Sequence, residues 1–160
     1  MKISAQEEYG LRCLVQLANL PDGESLTLPQ IAELEGISTA NAGKLMWLLN
    51  KAGFVNSTRG TKGGYFLSRP ASVIRLSEII KVLDEDVVSK HCESYTGVLD
   101  TCVHKGDCGI RPVIVGLHEI VESALSKISL AGLVGNEKAV DAMFHKIQGL
   151  HKEVKMPQTV

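Results

Sequence analysis

The chain has 160 residues, 44% hydrophobic but only 4% aromatic, so one domain with an aliphatic core is within reach. A formal net charge of −1 excludes any global electrostatic case for nucleic-acid binding, which must rest instead on local clusters of Lys and Arg. The opening MKISAQEEYG has no apolar h-region, and no apolar run approaches the ~20 residues of a membrane span. A cytoplasmic chain without a membrane partner is therefore expected, and in that compartment clustered thiols more often bind metal or sense redox state than form structural disulfides.

In residues 5–20 the apolar positions Tyr9, Cys13, Leu17 and Leu20 recur at helical spacing. Ser4 followed by Glu7 resembles a capping box, and Pro21-Asp22-Gly23 stops the helix. Cys13 lies on the apolar stripe and reads as a small core residue. A second helix begins at Thr27, with Pro29 in its first turn and Gln30 three residues on. It breaks at Gly36-Ile37, and Ser38 caps a third helix over 39–52, with Leu45, Leu48 and Leu49 inward. Two short helices across a glycine turn predict a helix-turn-helix. Its second helix presents Ser38, Thr39, Asn41 and Lys44 near the end that reads base edges in a major groove.

Phe54-Val55 and Tyr65-Phe66-Leu67 flank a glycine-rich tip and predict a hairpin. The tip holds Arg59, Thr61 and Lys62 among Gly60, Gly63 and Gly64. Alone, such a hairpin is equally an ordinary solvated turn. Behind a helix-turn-helix it reads as a wing, with Arg59 able to enter a minor groove and the glycines admitting phosphates. Residues 76–88 form a further amphipathic helix with Leu76, Ile79, Ile80, Leu83 and Val87 on one face.

The segment HCESYTGVLDTCVHKGDC places Cys92, Cys102 and Cys108 in one polar, glycine-bearing loop. Three convergent thiolates suit an iron–sulfur cluster, zinc or copper(I). On residues alone, zinc with His104 as fourth ligand is as good a reading as a cluster, and a reversible disulfide is a third. From Ile110 to Val134 apolar residues fall at 110, 113, 117, 120, 121, 124, 125, 128 and 131, near a heptad seam with Pro112 in the first turn. Such a helix in so small a chain needs a partner for its stripe, and a second copy is the simplest one. A weaker helix around Val140 to Leu150 precedes a polar tail.

The run from Ile31 to Leu67, containing IAELEGIS and LNKAGFVNSTRGTKGGYFLS, resembles the signature of the Rrf-two family of winged-helix regulators, and MKISAQEEYGLRCLVQLA resembles its first helix. The likeness is close over about the first 90 residues and extends to the cysteine loop and long helix by layout. It implies a homodimeric regulator that binds double-stranded promoter DNA through the start of the helix after Gly36 and through Arg59. Members in the iron–sulfur subgroup, IscR-like and NsrR-like, hold a cluster with three cysteines of this loop. The resemblance therefore implies iron ligation by Cys92, Cys102 and Cys108, with a 2Fe-2S cluster favoured over 4Fe-4S. NsrR-like members use an acidic residue of the first helix as fourth ligand, which implies Glu8, supplied in a dimer by the partner subunit; His104 is the alternative.

This chain departs from the family twice. Its spacing is C-x9-C-x5-C, with a longer first gap than is usual. Where IscR-like members place a histidine three residues after the last cysteine, this chain has Arg111.

The expected fold is mainly α: a winged helix-turn-helix with a small β-hairpin wing and a long C-terminal dimerisation helix. The expected divisions are a DNA-binding unit over 1–88, a cluster loop over 89–109, a dimerisation helix over 110–134 and a C-terminal helix and tail over 135–160. Operator affinity would follow redox state, nitric oxide or cluster supply. Rival readings are a same-fold regulator that senses through thiols, zinc or a small molecule, and an iron–sulfur electron-transfer protein. No nucleophile–base pair or glycine-rich nucleotide loop suggests an enzyme.

Overall fold

The computed structural model describes residues 3–58, 60, 63–84, 98–99 and 101–151. Its elements in chain order are helices α1 (Ala5–Ala18), α2 (Leu28–Glu35) and α3 (Thr39–Lys51), strands β1 (Val55–Ser57) and β2 (Tyr65–Leu67), then α4 (Leu76–Leu83), α5 (Arg111–Ser126), a 3-10 turn (Leu130–Leu133) and α6 (Glu137–His151). This is the mainly helical winged helix-turn-helix that the patterning predicts. None of the described helices is long and apolar enough to cross a membrane.

The helix starts follow from local hydrogen bonding. At α1 the Glu7 N–H donates to Ser4 Oγ at 3.2 Å and the Ser4 N–H donates to Glu7 Oε2 at 2.6 Å. At α2 the Thr27 N–H donates to Gln30 Oε1 at 2.9 Å, with the return bond to Thr27 Oγ1 at 3.5 Å. Both boxes satisfy amide groups that a helix start otherwise leaves unpaired. Between α2 and α3 the chain turns at Gly36, whose φ of 63° is in the left-handed region that side chains disfavour.

One core unites these elements. Cys13, Leu14 and Leu17 of α1 meet Ile31 of α2, Leu45, Met46 and Leu49 of α3, and Ile79 and Leu83 of α4, all buried. The wing pairs Val55 with Leu67 and Ser57 with Tyr65, antiparallel. Its second strand also exchanges two backbone bonds with Leu26, at 3.0 and 2.7 Å, which fixes the wing's base beside the start of α2. A side chain at Gly64 would lie 2.8 Å from the Leu26 backbone, so that approach requires glycine.

α4 ends at Leu83, where Asp84 turns extended (φ −72°, ψ 116°), so the helix is shorter than the 76–88 that the pattern predicts; Leu76, Ile79 and Leu83 are buried as expected, and Val87 lies outside the described residues. The apolar pattern over 110–134 misleads about length, because α5 ends at Ser126 rather than continuing to Val134. The chain then runs back along Ile74–Leu76. Leu76 N–H donates to Ile128 O at 3.0 Å, and Leu130 N–H donates to Ile74 O at 2.8 Å. Ile128 and Leu130 are thereby buried with the winged unit. Leu130 joins the winged unit's core, whereas Ala131, the last position of the apolar pattern, is exposed and continues no helical seam.

Candidate nucleic-acid interface and cysteine loop

The direction in which α3 packs defines its free side. Ala42, Leu45, Met46 and Leu49 are buried, while Leu48 is half-buried. Ser38, Thr39, Asn41 and Lys44 are all exposed, as the sequence suggests. Ser38 is also the helix cap, its Oγ accepting from the Asn41 N–H at 3.2 Å. The positions most directly opposite the core are Ala40, Lys44, Trp47 and Lys51. Trp47 and Lys51 escape a reading that attends only to the helix start; their spacing from Lys44 is the signal that finds them. A shallow groove of about 300 Å³ separates the wing from α2 and is lined by Thr27, Leu28, Ser57, Thr58, Gly60 and Tyr65, among others. Arg59, Thr61 and Lys62 lie outside the described residues.

On α1 the two neighbouring carboxylates separate. Glu7 is 8% exposed and occupied with the helix cap. Glu8 is exposed and lies 3.5 Å from Arg12, one turn on. Arg12 also donates from Nε to Glu35 Oε2 at 2.6 Å, and Gln16 Nε2 donates to Glu35 Oε1 at 2.7 Å. The Glu35 side chain is only 3% exposed, so both its oxygens are satisfied where water is scarce. Glu35 in turn holds the Arg12 guanidinium in its charged form, first by the hydrogen bond and then by its charge. Because Glu35 is the last residue of α2, this network ties the α1 surface bearing Glu8 to the turn before the recognition helix. A lone sequence offers no signal for it, since a glutamate at a helix end ordinarily faces water.

Cys102 and Cys108 are free thiols, each half-buried. The Cys102 carbonyl accepts from the Lys105 N–H at 3.1 Å, and the Cys108 carbonyl accepts from the Arg111 N–H at 3.3 Å. Arg111 Nη2 donates to the Lys105 carbonyl at 3.4 Å, so this residue braces the loop. Its Nε is buried with no partner among the described residues. His104 and Asp107 are exposed, and His118 stands 4.0 Å from Glu122 on α5. His91 and Cys92 lie outside the described residues, and among the described residues no three His, Cys, Asp or Glu side chains gather around one point. Cys13 belongs to a different chemistry. Burial and then the Glu35 charge push its thiol up to about 12, so it stays protonated in the core. Two accessible thiols on a braced loop suit a soft metal or a cluster as donors, with further ligands required to complete the set.

A winged helix-turn-helix with an exposed recognition face defines a DNA-reading class of protein. A profile of the Rrf2 family, described as an iron-dependent transcriptional regulator, matches residues 3–136, and the chain belongs to that family. Among solved structures it is similar to the IscR protein of T. potens, at 26% identity and a TM-score of 0.64, covering 99% of this chain and 94% of that one. It is also similar to CymR of B. subtilis, described as the global cysteine regulator, at 28% identity and a TM-score of 0.64, covering 83% of this chain and 95% of the other. The oxidized form of S. aureus CymR matches at 28% identity and a TM-score of 0.65, covering 85% and 98% respectively. The family description is that of a regulator of transcription.

Proposed function

We propose that the protein is a homodimeric regulator whose affinity for double-stranded promoter DNA follows the state of an iron–sulfur cluster, 2Fe-2S in the first reading. Cys92, Cys102 and Cys108 would hold the cluster, with Glu8 as fourth ligand. The observation that carries this reading is the direct join between thiol loop and α5. The Cys108 carbonyl accepts from Arg111, the first residue of that helix, with only Gly109 and Ile110 between them. None of the α5 residues is buried, and Ile110, Val113, Ile114, Leu117 and Ile120 are 40–68% exposed, which supports a second copy as the partner for this face.

When bound, such a cluster supplies a redox-responsive link between thiolates and a carboxylate. The chain's own residues offer a route from that link to DNA. Glu8 is exposed and shares Arg12 with Glu35, so drawing Glu8 away leaves Arg12 to Glu35 and the Tyr9 ring, beside the turn that sets α3. Loop shape sets where α5 begins, and in a dimer the direction of α5 sets the separation of the two recognition helices. Half-site spacing then decides affinity.

Protein purified without oxygen should carry visible absorption, iron and acid-labile sulfide, and Cys102→Ala should abolish all three. A colourless protein lacking iron and sulfide would overturn the reading. Thiol sensing without a cluster is the second reading, supported by the likeness to CymR, the cysteine regulator, and by the two free thiols. It predicts thiol-dependent DNA binding without sulfide. Zinc with His104 predicts stoichiometric zinc instead.

A further inference from the structure

Trp47 is the chain's single tryptophan, and it is 59% exposed although nearly every other large apolar side chain of α3 is buried. It stands on the outward stripe of Ala40, Lys44, Trp47 and Lys51, all exposed. The Lys51 ammonium sits over the indole ring, 5.1 Å from its centroid. A bare indole beside two cationic residues calls for an occupant that is anionic and offers hydrogen-bond acceptors. A DNA backbone has both properties, whereas an apolar protein surface would leave Lys44 and Lys51 poorly solvated.

Helix geometry locates the contact. At a rise of 1.5 Å per residue, Trp47 lies about 12 Å along the axis from Thr39, and Lys51 about 18 Å. A major groove is about 12 Å wide, so a helix that inserts its first turn carries Trp47 and Lys51 to the rim, where a phosphate strand passes. The indole offers one donor, Nε1–H, and no acceptor, which suits a phosphate oxygen.

We propose that Trp47 and Lys51 form a backbone clamp at the rim of the groove. The indole N–H donates to a phosphate oxygen, while the ring holds the Lys51 ammonium against the same strand. The clamp is independent of base sequence: it sets how deeply and at what angle α3 enters, and leaves base reading to the first turn. It rests on the reading of α3 as a DNA-recognition helix and deepens it.

Because the chain has one tryptophan, its emission reports the site without labelling. The full-length protein is titrated with a random-sequence duplex about three helical turns long at low salt. Binding is followed separately by anisotropy of labelled DNA. Bound duplex should change Trp47 emission and lower its quenching by acrylamide. Trp47→Phe, which keeps a ring and removes the donor, should weaken binding roughly three- to tenfold with an unchanged salt slope. Lys51→Gln should reduce the slope of log K against log salt by about 1.8 for the bound dimer, the loss of one phosphate contact per subunit at about 0.9 each. Duplex that binds while emission and quenching stay constant overturns the clamp and leaves the DNA reading intact. A ring already shielded in free protein, and released by dilution, assigns Trp47 to a contact between copies and also overturns it. Absence of duplex binding at every salt concentration overturns both the clamp and the DNA reading.

Discussion

The winged unit and helix α5 use apolar residues in opposite ways. In α1 to α4 the side chains that repeat at helical spacing are covered, and Leu14, Ile31, Leu45, Met46, Leu49 and Ile79 are fully buried. In α5 the spacing is equally regular, yet no residue is buried and the apolar side faces outward. The same pattern thus yields a finished core in one region and an unfinished one in the other. The difference is topological. Three helices and a hairpin surround the first stripe, whereas the chain leaves α5 at Ser126 and returns Ile128 and Leu130 to the winged unit. The thiol loop joins that helix directly.

The largest expected contrast comes from matched truncations in the two regions. Leu45→Ala should lower the unfolding free energy by about 2–5 kcal/mol in urea titrations, the cost of a cavity in a packed core. Leu117→Ala on α5 should change it by less than about 0.5 kcal/mol in dilute solution, yet shift sedimentation towards monomer. Equal destabilisation by the two variants would show that α5 is packed within one chain, and the comparison would collapse.

A smaller effect concerns the core thiol of α1. The Cys13 pKa is raised from 9.0 to about 12. Its contribution is fully present below pH 9.0, where the thiol is protonated both folded and unfolded. Above that, the unfolded chain releases a proton that the folded chain retains, so stability should fall as pH rises towards about 12. Cys13→Ala, though less stable overall, should lose stability less steeply over that window in pH-dependent melts. An identical slope in both proteins would place the alkaline sensitivity elsewhere. The smallest effect is at the recognition helix itself. Removing the Ser38 hydroxyl with Ser38→Ala should cost about 1 kcal/mol, because the Asn41 N–H loses its acceptor.

Much of this molecule can be read residue by residue along the chain. The Ser4–Glu7 and Thr27–Gln30 boxes, the Ser38 cap and the glycine turn at Gly36 join residues within a few positions of one another, and all occur as the sequence implies. The outward start of α3 follows in the same way, since helical spacing fixes one face once the core face is known. The assignment of Cys102 and Cys108 to one loop is equally plain in the sequence, although their roles as ligands remain part of the proposal.

What the sequence alone determined is therefore the set of elements and their polarity, because caps, turns and apolar periodicity act over one or two helical turns. Tertiary structure decided which apolar residues complete the core and which charges share a site. Ile128 continues the periodicity of α5, but backbone bonds to Ile74 and Leu76 draw its neighbourhood into the winged unit. Glu35 resembles a solvated helix-end carboxylate until the packing of α1 buries it and brings Arg12 and Gln16 to its oxygens. Trp47 resembles one more apolar helix residue until the packing direction of α3 turns it outward beside Lys51. For Ile128 and Glu35 the partner is remote in sequence and only the closing of the fold selects it; for Trp47 and Lys51, one helical turn apart, packing decides only that their shared face is the open one.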